Sequence, residues 1–131
     1  MFFHIDPSNG LAIYDQIVRQ VKFAVASESL GRGELVPSVR ELARTLAVNP
    51  NTVSRAFREL QSDGVLAPIR GTGLEVTSEA LNSCRQERVA LIRDRLRSVL
   101  LEADQSGLDG HAIATLVERE VAKLLQTRKA P

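Results

Sequence analysis

The sequence has few of the residues on which metal and redox sites depend. A single cysteine, Cys84, excludes both an intramolecular disulfide and a cysteine-based zinc site. The two histidines, His4 and His111, are far apart in sequence, and neither lies at a metal-ligand spacing. We therefore expect no metal and no cofactor. Cys84 is expected to fill an apolar position, with redox sensing or an intersubunit disulfide as the alternatives.

Long hydrophobic runs and a strong net charge are also absent. No run of about 18 apolar residues occurs, and the N-terminus lacks a basic leader, so we expect a soluble, cytoplasmic protein without a membrane partner. The formal net charge is +1. Residues 1–78 hold eight basic and eight acidic side chains, and residues 79–131 hold nine and eight. Any binding to nucleic acid would therefore depend on a local basic patch.

The segment from Pro37 to Gly64 contains two short helical patterns separated by a tight turn. In the second pattern, apolar residues recur at the spacing that buries one side of a helix. These residues are Val53, Ala56, Phe57 and Leu60. Polar and cationic residues with the same spacing form the opposite side, namely Asn51, Ser54, Arg55, Arg58 and Ser62. Such a helix can anchor in a core and present hydrogen-bonding groups outward.

The ends of both helices are marked in the sequence. Ser38 and Glu41 have the spacing of a capping box. Asn49 is suited to cap the second helix, with Pro50 at its first position. Gly64 is suited to the left-handed residue that closes it. The short turn between the helices favours a helix-turn-helix, although a helical hairpin with a merely solvated polar face would look similar.

Two short apolar stretches follow the second helix. Residues 65–67 and 74–77 are predicted to be strands around the turn at 70–73, which carries Arg70. A helix-turn-helix followed by a hairpin with a basic tip is typical of a winged helix. In that architecture the second helix enters the major groove of DNA, and the wing reaches the backbone or the minor groove.

These motifs resemble the GntR family of bacterial transcriptional regulators. The resemblance rests on LVPSVRELARTLAVNPNTVSRAFRELQSDGVL at 35–66, RGTGLEV at 70–76 and IYDQIVRQVK at 13–22. It covers about residues 9–78. The short remainder is similar to the YtrA-type subfamily, whose tail is two helices rather than a ligand-binding domain.

The resemblance implies a set of DNA contacts. They would come from Ser38, Arg40, Asn49, Asn51, Thr52, Ser54, Arg55, Arg70 and Gly71. Arg58 joins this set because it lies on the polar side of the second helix. Arg40, Arg44 and Arg58 have acidic residues nearby in sequence, so ion pairing at the surface is the alternative for these three.

The sequence pattern of residues 79–131 predicts two amphipathic helices. Its first helix begins near Ser78 and carries an apolar seam at Val89, Ile92, Leu96, Val99 and Ala103. A break at residues 105–110 precedes a second helix, whose apolar residues include Ile113, Leu116, Val117, Val121 and Leu124. These helices have little to pack on within one chain, so we expect them to pair with a second copy. Folding back onto their own domain is the alternative.

The expected fold is mainly α with a small β-hairpin: a winged helix-turn-helix at residues 1–78, then a two-helix dimerisation segment at 79–131. The expected function is that of a homodimeric, sequence-specific transcriptional regulator, a repressor at a palindromic operator on double-stranded DNA. A small-molecule effector of unknown identity would be a further partner. The alternative is a protein-interaction module that uses the winged helix as a scaffold. An enzyme or small-molecule carrier is a third hypothesis, but no catalytic motif supports it.

Overall fold

The computed structural model describes residues 3–71 and 73–129. Within these residues the chain forms five helices and two strands. In order they are α1 (Ile13–Ala26), α2 (Val39–Leu46), α3 (Pro50–Ser62), β1 (Leu66–Ile69), β2 (Gly73–Val76), α4 (Ala80–Gln105) and α5 (Gly110–Lys129). The prediction of a mainly helical protein with one hairpin is confirmed.

Packing between α1 and α3 forms the centre of the core. Ile17 and Val21 of α1 and Val53 and Leu60 of α3 have no exposed surface. The apolar side of α3 that the sequence predicted is thus turned inward, and Leu42 of α2 packs into the same cluster. Burial of each such side chain stabilises the folded state by about 1.5–3 kcal/mol relative to leaving it exposed. This burial fixes which side of α3 remains outside.

The predicted helix ends are confirmed. Ser38 Oγ accepts a hydrogen bond from the Glu41 N–H at 3.1 Å, and Asn49 Oδ1 accepts one from the Asn51 N–H at 2.8 Å. These bonds satisfy backbone donors that the first turns of α2 and α3 would otherwise leave unpaired. Gly64 adopts a φ of 76° and follows the last residue of α3 by two positions. Both helices of the helix-turn-helix therefore begin where the sequence placed them.

The hairpin is supported on both edges of β2. β1 pairs with β2 in antiparallel register, with Leu66 opposite Val76. On the other edge, Val36 N–H donates to the Leu74 carbonyl at 3.1 Å, and Val76 N–H donates to the Glu34 carbonyl at 3.0 Å. Leu66 and Val76 are buried, so the base of the hairpin is anchored in the core. The wing that the sequence predicted is confirmed.

The chain divides into two compact units, the first reaching Val89 and the second beginning at Ala90. The first turns of α4 belong to the first unit because Ala80 and Cys84 are completely buried there. Cys84 therefore fills an apolar position, and burial raises the pKa of its thiol.

Lys22 of α1 joins three elements of the first unit. Its Nζ lies 2.8 Å from Asp63 Oδ2, at the end of α3, and 2.9 Å from Glu87 Oε1 on α4. The lysine is 4% exposed. Burial alone would lower the pKa of Lys22, but hydrogen bonds to the two carboxylates outweigh it and raise the pKa above the ordinary value of 10.5. The buried charge is thus fully paired.

The second unit consists of the remainder of α4 and of α5, and it leaves its apolar side chains uncovered. None of the residues of α5 is buried. An open apolar groove of about 470 Å³ runs between the two helices, lined by Leu96, Val99, Leu100, Ala103, Ile113, Leu116, Val117, Glu120, Val121 and Leu124. Among the described residues, no helix combines the length and the apolar character that crossing a bilayer requires.

Ala47 lies in the turn between α2 and α3, and substituting it tests whether the backbone is strained there. It is exposed and has a φ of 56° in the left-handed region, where a Cβ is unfavourable. We expect Ala47→Gly to raise the free energy of unfolding by about 0.5–1 kcal/mol. The backbone strain that glycine relieves in the folded state is larger than the free-energy cost of the conformational entropy that it adds to the unfolded chain. Ala43→Gly is the control, because Ala43 is buried in a regular helix and its loss should destabilise. Urea unfolding measures both, and a destabilised Ala47→Gly protein would contradict the expectation.

Lys22 gives a pH-dependent prediction. We expect Lys22→Met to lower the free energy of unfolding by about 2 kcal/mol at neutral pH, because two carboxylates lose a charged donor. Since the pKa of Lys22 is raised on folding, its contribution is full below 10.5 and is lost as the pH rises through the folded-state pKa. The free energies of unfolding of wild type and variant, measured by urea unfolding, should therefore converge at alkaline pH. Lys123→Met, at a largely exposed pair with Glu120, should have little effect at either pH.

Candidate nucleic-acid interface

The outer side of α3 is polar and accessible. Asn51, Arg55 and Arg58 are exposed, whereas Ser54 and Thr52 are half-buried. They lie on this side because the opposite stripe is committed to the core, and a helix that buries one stripe presents the other to solvent. The geometry provides amide, hydroxyl and guanidinium groups on one surface.

The capping residues of α2 and α3 keep hydrogen-bonding capacity for a ligand. The Ser38 hydroxyl accepts from Glu41 and can still donate its own proton. The Asn49 side chain uses its oxygen as the cap, which leaves its amino group as a donor. The N-termini of helices also favour anions, since their first N–H groups and the helix dipole both point outward. Both helix starts are therefore suited to phosphate oxygens.

Among the residues that the structure describes, none of the arginines predicted to contact DNA has an acidic partner. In the part of the chain that the structure describes, Arg40, Arg55, Arg58 and Arg70 are exposed and form no ion pair with a carboxylate. Within residues 3–71 and 73–129, the ion pairs expected as the alternative for Arg40 and Arg58 are therefore not formed. A guanidinium group without an internal partner can donate two parallel hydrogen bonds to a phosphate or to a guanine edge.

At the wing tip, the residues that the structure describes are accessible. Arg70 and Gly71 are exposed, and Gly71 has a φ of 77°. A Cβ added at Gly71 would meet no atom within 4 Å. Glycine is therefore required at this position by the turn, not by a neighbouring group, and the bare backbone leaves the tip accessible.

One contact at this surface was not predicted from the sequence. The guanidinium carbon of Arg55 lies 3.7 Å from the centroid of the Tyr14 ring, a cation–π distance. Tyr14 and Arg55 lie in different helices, so no periodicity pairs them, and the contact depends on how α1 packs against α3.

All ten residues predicted to contact DNA lie in the first unit, and none of them is buried. Ser38 and Arg40 are at the start of α2, Arg70 and Gly71 are at the wing tip, and the other six cap or belong to α3. Their contact with DNA stays a prediction. Among the described residues, no group of three or more His, Cys, Asp or Glu side chains is arranged to hold a metal ion.

Comparisons with known proteins agree on the family. The model of the family described as bacterial regulatory proteins, gntR family, matches residues 13–76. The HTH-type transcriptional repressor YtrA of Bacillus subtilis (strain 168) is 33% identical over 80% of this chain and 81% of its own length. These proteins are regulators and not enzymes.

Solved structures of transcriptional regulators are also similar to this chain. A structure described as a transcriptional antiterminator from Listeria monocytogenes EGD-e has a TM-score of 0.66 and 30% identity, covering 92% of this chain and 90% of that one. YtrA from Sulfolobus acidocaldarius, a GntR-family transcription factor, has a TM-score of 0.57 and 31% identity, covering 73% of this chain and 99% of that one. The chain therefore belongs to the GntR family of bacterial transcriptional regulators, and YtrA-type proteins are among its relatives.

Proposed function

We propose that this regulator is a homodimeric repressor that binds a palindromic DNA operator in the cytoplasm. The observation that carries the proposal is the two-sided α3, whose apolar side is buried while Asn51, Arg55 and Arg58 remain exposed. In a winged helix this is the helix that enters the major groove. The repressor role is supported by the relative named a transcriptional repressor.

The chemistry of the surface suits both parts of DNA recognition. Asn51, Ser54 and Arg55 provide the amide, hydroxyl and guanidinium groups that read base edges. Ser38 and Thr52, near the starts of α2 and α3, suit phosphate oxygens, and Arg70 on the wing suits the backbone. Because the unit has no excess of basic residues, binding to random DNA should be weak and sensitive to salt.

The second unit supports a homodimer. It leaves ten large apolar side chains 37–58% exposed, namely Ile92, Leu96, Val99, Leu101, Leu108, Leu116, Val117, Val121, Leu124 and Leu125. Exposed apolar surface of this extent marks an interface. A second copy offers the same surface, so a twofold arrangement buries both at once. Two recognition helices related by twofold symmetry would then match a palindromic site.

Selection of genomic fragments tests the function. Purified protein incubated with fragmented host DNA should retain fragments that share an inverted repeat, and footprinting should protect both half-sites. Retention without sequence preference would favour a protein-interaction module instead. A footprint on one half-site only would contradict the homodimeric form of the proposal.

Arg55→Ala tests the recognition helix. We expect it to weaken operator binding by at least about tenfold, since each half-site loses a contact that contributes about 1–3 kcal/mol. Lys129→Ala, which removes the same charge at the end of α5, is the control and should bind within about twofold of wild type. Gel-shift titration at fixed salt measures both. An unchanged affinity for Arg55→Ala would contradict this role.

Leu96→Asp tests the dimer. A carboxylate placed in the apolar groove would be desolvated on association, so we expect the variant to be monomeric at micromolar concentration in analytical ultracentrifugation. Ser98→Asp is the matched control, because it adds the same charge to an exposed, polar position of α4. Both should keep their helical circular dichroism. A dimeric Leu96→Asp protein would show that another surface mediates association.

A further inference from the structure

Tyr14 and Arg55 connect the supporting helix α1 with the exposed side of α3. Tyr14 is in the first turn of α1, half-buried, and packs against the core cluster. Arg55 is exposed, and its guanidinium carbon lies 3.7 Å from the Tyr14 ring centroid. One side of the ring is thus held by the protein, while the guanidinium group lies over the ring. The ring provides a fixed platform at the surface.

We propose that Tyr14 is a positioning residue for the DNA contact of Arg55. The proposal rests on the proposed function, because it assumes that Arg55 contacts the operator. An exposed arginine samples many rotamers, and binding must restrict it to one of them. The Tyr14 ring is fixed by the core, so stacking on it already restricts the Arg55 rotamer in the free protein. The Arg55 side chain therefore loses less conformational entropy when DNA binds.

Stacking leaves the donors of Arg55 available. A guanidinium group carries its five N–H donors in its plane, and they point outward from its edge. In a stacked arginine–aromatic pair the ring meets a face of that plane, whereas a guanine edge or a phosphate is met edge-on. Tyr14 and DNA therefore do not compete for the same part of Arg55. Within the described residues no carboxylate pairs with Arg55, so the ring is what holds it.

Arg58 provides an internal comparison. It is exposed on the same side of α3, one turn beyond Ser54, and among the described residues it has neither an aromatic platform nor an acidic partner. If Tyr14 acted only by stabilising α1 against α3, its loss would impair the contacts of Arg55 and Arg58 alike. If it acts through the stack, only Arg55 depends on it.

A double-mutant cycle on operator affinity separates these two cases. The operator obtained by fragment selection is titrated with wild type, Tyr14→Leu, Arg55→Ala and the double variant, with thermal unfolding measured in parallel. We expect Tyr14→Leu to weaken binding about two- to fivefold per stacked pair, or about four- to twenty-fivefold for two copies on a palindrome. In the Arg55→Ala background the same substitution should have no further effect, because there is no guanidinium group left to position.

Two further variants complete the test. Tyr14→Phe keeps the ring and should retain wild-type affinity, which separates stacking from any contact of the hydroxyl. Tyr14→Leu should keep its full effect in the Arg58→Ala background. An equal loss in the Arg55→Ala and Arg58→Ala backgrounds would overturn the positioning role and leave the proposed function intact. If Arg55→Ala alone left operator affinity unchanged, the DNA contact assigned to Arg55 and the role of Tyr14 would fall together.

Discussion

Burial of one side of α3 against α1 is the constraint on which the rest of the first unit depends. Val53 and Leu60 meet Ile17 and Val21 with no exposed surface. A helix held in this way cannot rotate about its axis without exposing the apolar stripe, so the direction of its polar side is fixed by the hydrophobic effect. The candidate interface is therefore a consequence of core packing rather than of interactions within the interface itself.

Other elements of the first unit fix the ends of α3. Asn49 caps its start, and Asp63 at its end is held by Lys22, which also binds Glu87 on α4. The base of the wing is held by the buried Leu66 and Val76. Apolar packing thus sets the rotation of the recognition helix, while hydrogen bonds and ion pairs set where it begins and ends. Preorganised donors lose less entropy on binding than mobile ones.

The second unit, in contrast to the first, has no buried core of its own within the described residues. Two amphipathic helices expose most of their large apolar side chains, and in α5 no residue is buried. A helical pair of this size gains too little from its own contacts, since small assemblies bury a small fraction of their surface. Covering both apolar surfaces with a second copy is the physical basis of the homodimer proposed for this regulator.

The sequence by itself determined the order and type of the elements, the helix caps at Ser38 and Asn49, and the residues on the buried side of α3. These features are local, because they depend on spacing within one helix and on the chemistry of a single turn. The ten candidate DNA contacts could also be proposed from sequence, since nine follow from matching motifs and Arg58 from the polar side of α3. Only the tertiary structure decided that Tyr14 lies under Arg55, that Lys22 bridges Asp63 and Glu87, and that the first turns of α4 belong to the first unit. These contacts join residues that are distant along the chain, and no local pattern encodes which helix faces another.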